Sequence, residues 1–374
     1  MLQNINEVRY ISIIFVKEVH DFLKELKNIL AFYQDLKASN TNAALASVVY
    51  VEGSSYRRMG ARMLIAENGE WVGGISGGCL EGDALKRAKI AIIKSQASII
   101  RYDTTTDDDH QIGVGLGCNG IIDVLFKPID FDDKANPLEV LKAVLEPFSE
   151  PKKFITFTKT KEKELLGSVF SLNGGIPIPA SQLEKVKAQD GSQKIELDEE
   201  STIFFEVVPP SIELVLLGHQ YDIYPLISLC TQLGWQSSVV APSSKVKGIS
   251  TFSPENIADY PWHAQSAAIL MSHSLLTDKE NLRIILNSTI PYIGMLGPKE
   301  RSTRILNELK AEGLKVDESR IYAPVGLDIG ATSPEEISLS IVAEIKAFFA
   351  SRNGGHLRDR QSPINDRNPA KSFK

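Results

Sequence analysis

Apolar residues at three- and four-residue spacing open the readable part of the chain. Val19, Phe22, Leu23, Leu26, Ile29 and Leu30 share one face and predict an amphipathic helix over 18–38, ended by the polar run Ser39-Asn-Thr-Asn42. The pattern then shortens. Ala44–Val51 reads as a strand, with a turn at Gly53-Ser-Ser55. Arg62–Ala66 and Trp71–Ile75 flank Glu67-Asn-Gly-Glu70, whose Asn-Gly pair predicts a hairpin. A helix is expected near 80–94, and strands at Ile99–Tyr102 and Ile121–Phe126. Leu138–Leu145 reads as a helix, Phe154–Thr158 and Ser168–Leu172 as a hairpin, and Ile203–Val208 as a strand.

Pro209-Pro210 stops regular structure and marks a domain boundary. Beyond it, the apolar run Ile212–Leu217 predicts a strand buried on both faces, Ser237–Val240 is another buried-strand candidate, and Ala267–Met271, Tyr292–Leu296 and Arg320–Tyr322 read as further strands. Helices at Pro225–Leu233, 278–287 and 299–312 alternate with them. That alternation predicts a doubly wound parallel sheet. Ser333, Pro334 and Glu336 spell a capping box at the start of the last helix, whose face is Ile337, Ile341, Ile345 and Phe348. The chain is thus read as α/β, with a mixed α/β domain over 1–209, a parallel-sheet domain over 210–350 and a tail over 351–374.

A net charge of -6 gives no overall attraction to nucleic acid or an anionic membrane. Three dispersed cysteines, Cys79, Cys118 and Cys230, exclude a disulfide scaffold and fit a reducing, cytoplasmic setting. The apolar run Tyr10–Val16 is too short to span a bilayer and lacks the cleavage site of a signal peptide, so it is expected to be a strand or a packed arm.

Chemistry concentrates in two places. In the first half, Gly74–Glu81 holds Gly77, Gly78, Cys79 and Glu81, and Gly113–Gly120 holds Gly117, Cys118 and Asn119. Glycines let amide groups converge on an anionic or flat ligand, and thiols suit a soft metal or carried sulfur. Equally, both loops could be tight turns with a small packed cysteine. Arg57, Arg58 and Arg62 lie in a nearby turn and could hold phosphate, or be solvated. In the second half, a dinucleotide fingerprint would need three glycines after the first strand and an acid after the next. The chain offers Gly218-His-Gln220 and then Ala241, so ordinary NAD(P) affinity is not expected. His273, Lys299, Arg301 and Asp328 fall in loops facing the same crevice and are candidates for anion or nucleotide contact.

Val51–Met63, Ser76-Gly-Gly-Cys-Leu-Glu-Gly82, Arg101-Tyr-Asp103 and Gly115-Leu-Gly-Cys-Asn-Gly120 resemble the XdhC/CoxI family. Tyr292–Gly297, Pro324–Ala331, Ser333–Ile337 and Val342-Ala-Glu344 continue the resemblance. The family comprises accessory factors that mature xanthine dehydrogenase and related molybdenum hydroxylases. The resemblance implies a first domain that binds molybdenum cofactor transiently and a Rossmann-like second domain. It also implies help in sulfurating and inserting the cofactor, with an apo-hydroxylase, a cysteine desulfurase and a second copy of the chain as partners. On this reading the protein is a maturation chaperone rather than a catalyst, with no catalytic residue. Cys79 and Cys118 would meet the metal or transferred sulfur, Arg57, Arg58 and Arg62 the phosphate, and Glu81 the pterin. An NAD(P)-dependent oxidoreductase and a docking scaffold without cofactor are the alternatives.

Overall fold

The computed structural model describes residues 22–361, except 54, 104–119, 134, 147, 247 and 250. The run at 10–16 and the loop residues Gly117, Cys118 and Asn119 lie outside the described residues. Among the described residues no helix is long and apolar enough to cross a membrane.

The first helix is α1 (Phe22–Ser39). It leads into β1 (Ala43–Gly53), β2 (Arg62–Ala66), β3 (Trp71–Gly73), α2 (Glu81–Lys94), β4 (Ser98–Asp103) and β5 (Gly120–Pro128). The strands form an antiparallel sheet in the order β3-β2-β1-β5-β4. Side chains on β1 alternate between two cores, as a period of two requires. Ala43 and Leu45 pack with Leu26, Ile29 and Tyr33 of α1, while Ala44, Ala46 and Val48 pack with Ala84, Ala88 and Ala91 of α2. Both helices therefore clamp one central strand.

A second antiparallel sheet follows. Asn136 caps α3 (Pro137–Leu141), its side chain accepting from the Leu138 and Glu139 amides, and the helix tightens to a 3-10 turn at Lys142–Leu145. Then come β6 (Lys152–Lys159), β7 (Val169–Ser171), α4 (Ala180–Lys187), β8 (Gln193–Glu196) and β9 (Thr202–Val208), with sheet order β7-β6-β9-β8. The sequence reading misses α4 and β8. The helix fully buries just Val186, and the strand lies at a sheet edge with no fully buried residue, so neither carries a clear apolar period. A bidentate ion pair joins the two sheets. Arg62 at the start of β2 donates to Glu206 of β9 through Nη1 at 2.8 Å and Nη2 at 2.6 Å, both side chains 3% exposed.

The chain crosses at Pro209-Pro210 into a parallel sheet. Its elements are β10 (Glu213–Leu217), α5 (Ile223–Leu233), β11 (Gln236–Val240), β12 (Thr251–Phe252), β13 (Ser266–Leu270), α6 (Leu275–Ile285), β14 (Tyr292–Met295), α7 (Lys299–Ala311), β15 (Ile321–Tyr322) and α8 (Pro334–Phe349). The order β12-β11-β10-β13-β14-β15 is the doubly wound, Rossmann-like arrangement, with its switch point between β10 and β13. Leu214 and Leu216 pack against α5 and α8, and Val215 and Leu217 against α6 and α7, so helices cover both faces. The Ser333 capping box at the start of α8 forms as the sequence predicts.

Two expectations follow. Arg62→Met leaves Glu206 buried without its counter-charge and should cost about 3–5 kcal/mol in urea unfolding, whereas adding Glu206→Leu should restore most of the loss. The second concerns Glu139, which accepts from Tyr33 at 2.7 Å, Lys37 at 2.8 Å and Lys142 at 2.6 Å, tying α1 to α3. Burial alone would raise its pKa, but the hydrogen bonds from Lys142, Lys37 and Tyr33 outweigh it and hold the carboxyl at about 2 against an ordinary 4.5. A depressed folded-state pKa stabilises above the unfolded value and loses that contribution as pH falls toward the folded one. Glu139→Gln should therefore be less stable than the parent at neutral pH, with the gap closing between about 4.5 and about 2 in stepped-pH denaturation.

Candidate functional site

The strand register brings the chemistry-bearing loops of the first domain together. β1 ends at Gly53 opposite Gly120, where β5 begins, and β4 ends at Asp103 opposite Ile121. At the same end of the sheet β2 starts at Arg62, and β3 ends at Gly73 opposite Met63. The arginine loop 55–61, the glycine loop 74–80, and Asp103 and Gly120, the described residues on either side of 104–119, thus lie toward one end of one sheet.

Within the glycine loop, Glu81 turns its carboxylate back on the chain. Oε1 accepts from the Ser76 amide at 2.8 Å and the Ile75 amide at 3.3 Å, and Oε2 accepts from the Leu80 amide at 3.2 Å and from the Ser76 hydroxyl. Ser76 Oγ in turn accepts from the Cys79 amide at 3.0 Å and the Leu80 amide at 2.9 Å. These contacts satisfy amides at the start of α2, where no side chain caps the helix from the N-cap position. Glu81, expected to meet a pterin, is engaged in shaping the loop. With the loop's base so tied, Gly77 and Gly78 are exposed and Cys79 is a half-buried free thiol at the N-terminal end of α2. The Tyr56 ring, 55% exposed, lies over Gly77, where a Cβ would come within 3.1 Å of it.

The three arginines separate. Arg57 donates to the Gly74 carbonyl from Nε at 3.2 Å and Nη2 at 3.1 Å, and its Nη2 also contacts both oxygens of Glu25 on α1. Arg62 is the buried partner of Glu206 and also donates to the Gly60 carbonyl at 2.8 Å. Both guanidiniums hold the loops from inside, while Arg58 is exposed. Sequence reasoning missed Glu25, Glu206 and Ser76. Glu206 did leave a signal, a lone charge in the apolar run Ile203–Val208.

In the parallel-sheet domain, Gly218 follows β10 at φ +156°, and a Cβ there would sit 2.4 Å from the Met271 carbonyl oxygen at the end of β13. Its glycine is required by this close approach alone. Gln220 is exposed, and Ala241, just after β11, is buried and offers no acceptor. His273 has a left-handed backbone, φ +60°, and its Nε2 lies 2.7 Å from Oδ2 of Asp222, the N-cap residue of α5. Arg301 donates at 2.6 Å to Asp278, a buried carboxylate of α6 that also accepts from the Ser272 hydroxyl at 2.6 Å and the Ser272 amide at 3.1 Å. A cation in the first turn of α7 is thereby explained by a neighbouring helix. Lys299, the first residue of α7, and Asp328, in the loop before α8, are both exposed. Cys230 is wholly buried on α5, and burial pushes its thiol up to about 12, which removes it as a nucleophile at neutral pH.

Residues 36–103 match the model of the XdhC and CoxI family, and residues 214–345 match that of the XdhC Rossmann domain. A Bacillus subtilis (strain 168) protein, named as a probable subunit of xanthine dehydrogenase, is 30% identical over 315 residues, covering 81% of this chain and 92% of its own. The molybdenum cofactor insertion chaperone PaoD of Escherichia coli (strain K12) is 24% identical over 327 residues, covering 85% and 87% respectively. A crystal structure from Bacillus halodurans, described as a xanthine dehydrogenase, superposes with a TM-score of 0.68 at 27% identity and covers 87% of this chain and 96% of its own. On these matches the chain belongs to the XdhC and CoxI family.

Proposed function

We propose that the chain is a cytoplasmic accessory factor. It holds molybdenum cofactor transiently at the loop edge of the first sheet and assists its sulfuration and insertion into a xanthine dehydrogenase-type hydroxylase. The convergence of the arginine loop, the Gly77–Cys79 loop, Asp103 and Gly120 at one end of the sheet carries this reading. The names of the Bacillus subtilis and Escherichia coli relatives support it.

The roles divide by chemistry. Cys79 and Cys118 supply soft sulfur for the metal or for a carried sulfur atom. Exposed backbone at Gly77 and Gly78, together with Gly117 and Asn119, offers amide donors to the pterin edges. Arg58 reaches for the phosphate, and Arg57 and Arg62 fix the loop that carries it. The Tyr56 ring supplies a flat apolar surface beside the thiol. A cysteine desulfurase, the apo-hydroxylase and a second copy of the chain are the partners in this scheme.

Replacing both Cys79 and Cys118 by Ala should lower the molybdenum bound by protein purified from a cofactor-producing host, while circular dichroism and the melting temperature stay the same. Unchanged molybdenum in a folded double variant would remove the thiols from the mechanism.

The retained doubly wound crevice favours comparison with a nucleotide-using enzyme. Its electrostatics oppose that reading, because the α5 N-terminus already carries the Asp222 carboxylate where a pyrophosphate would approach. Calorimetry should give NAD and NADP dissociation constants of about 1 mM or weaker. Micromolar affinity for either would favour an oxidoreductase.

A further inference from the structure

At two places in the chain, large apolar side chains stand in solvent beside unpaired charges, basic at one and acidic at the other. The first is the outer face of α2. Lys86, Lys89, Ile90, Ile93 and Lys94 are linked there by three- and four-residue steps, so they form one ridge. All five are exposed, Ile93 at 82% and Ile90 at 45%. The three ammonium groups have no partner among the described residues. The acids of α2 are turned elsewhere. Glu81 is bound back on the glycine loop, and buried Asp83 accepts from the Tyr102 hydroxyl at 2.8 Å and from Arg87 at 3.2 Å. A wholly basic ridge thus rises from a chain of net charge -6. The second place is the head of α8. Glu335 and Leu339 lie four residues apart on that helix and are both exposed, Leu339 at 54%. The preceding loop is laid along the helix, because the Leu327 amide donates to the Ser340 carbonyl at 3.3 Å and the Thr332 amide to Glu336 Oε2 at 2.8 Å. Asp328 and Ile329 sit between these anchors, Asp328 exposed and Ile329 at 51%. Neither Asp328 nor Glu335 has a partner among the described residues. Helix dipoles favour a lysine in a last turn and an acid in a first turn. They leave unexplained why each group of charges surrounds exposed aliphatic side chains, which is how an interface is built, with an apolar centre and a polar rim.

We propose that the α2 ridge of one copy docks on the α8 head of a second copy, and the reverse, about a two-fold axis. The two surfaces are opposite in charge and alike in their aliphatic centres. Reciprocal pairing uses both surfaces of each chain and closes the assembly, whereas a single contact would leave one of each free and propagate. A nucleic acid or an anionic membrane would answer the lysines alone and would be repelled by Asp328 and Glu335. A second copy answers both. Cys79 lies at the N-terminal end of α2, so this contact seats the partner on the helix that carries the thiol. The inference deepens the proposed function, in which a second copy is a partner, and rests on that reading at this point alone.

The test is sedimentation velocity and light scattering on the full chain across micromolar concentrations. The parent should be a dimer. Salt raised to about 1 M shortens the screening length to about 3 Å and should weaken it. Ile93→Asp, the pair Lys86→Glu with Lys89→Glu, and the pair Asp328→Lys with Glu335→Lys should each raise the dimer dissociation constant by about tenfold or more. Every substituted side chain is exposed, and unchanged melting temperatures confirm that the variants fold. The decisive sample is an equimolar mixture of the two charge-reversed chains. In the mixed dimer both contacts again join opposite signs, so dimerisation should return although neither chain dimerises alone. A monomeric parent, a dimer that survives the charge reversals, a mixture that stays monomeric, or mass that grows beyond the dimer would overturn the proposal. A monomeric parent that binds phosphatidylserine vesicles through these lysines would overturn it in favour of a membrane. Molybdenum carried by the parent, measured on the same samples, reports on the cofactor reading separately, so that either can fail while the other stands.

Discussion

Arg62 stands where two sheets and two loops meet. Its guanidinium pairs with Glu206 across the sheets, and one of its amino groups also holds the Gly60 carbonyl at the end of the arginine loop. Its own carbonyl accepts the Gly74 amide at 2.8 Å, which fixes the start of the glycine loop. Gly74 is held a second time by Arg57 and Glu25, and so the loop is tied to α1 as well. An ion pair this buried gains little net stability over an apolar pair of the same shape. What it supplies is geometry, since a guanidinium fork and a carboxylate fit in one orientation. The candidate site is therefore braced by charges that themselves face inward, and its exposed groups, Gly77, Gly78 and Arg58, project from a fixed base.

The regular part of this fold was legible because its periods are clean. Ile212–Leu217 reads as a doubly buried strand and β10 is one, with Leu214 and Leu216 on one face and Val215 and Leu217 on the other. Ser333, Pro334 and Glu336 gave the start of α8 to the residue. The gaps in the reading have a common cause. In α4, eight residues with one fully buried side chain leave no stripe to read, and β8 is a short polar edge strand. Local sequence patterns report burial, and these elements bury little.

The site was legible in a different degree. Gly77, Gly78 and Cys79 stand together in the chain and could be picked out as candidates, but not the partners of the charges beside them. Arg57 and Arg62 sit close in sequence to Arg58, yet their counter-charges lie 32 and 144 residues away, at Glu25 and Glu206. No spacing rule reaches that far, so arginines that brace a loop and one that is exposed on it look alike in the chain. Arg301 repeats the lesson. Its position against the α7 dipole is unfavourable locally and is offset by Asp278, 23 residues earlier on α6.

The parallel sheet shows how architecture and chemistry come apart. The strand order, the switch point and Gly218 all persist, and Gly218 is needed whether or not a nucleotide binds, because the Met271 carbonyl leaves no room for a Cβ. The groups that would recognise a dinucleotide do not persist, with Gln220 and Ala241 in their places. In their stead a carboxylate stands at the head of α5, held by an imidazole from a strained backbone position. The fold alone therefore does not say what binds. The groups present at the crevice say more about its chemistry, and at the head of α5 they are a carboxylate and an imidazole in contact with each other.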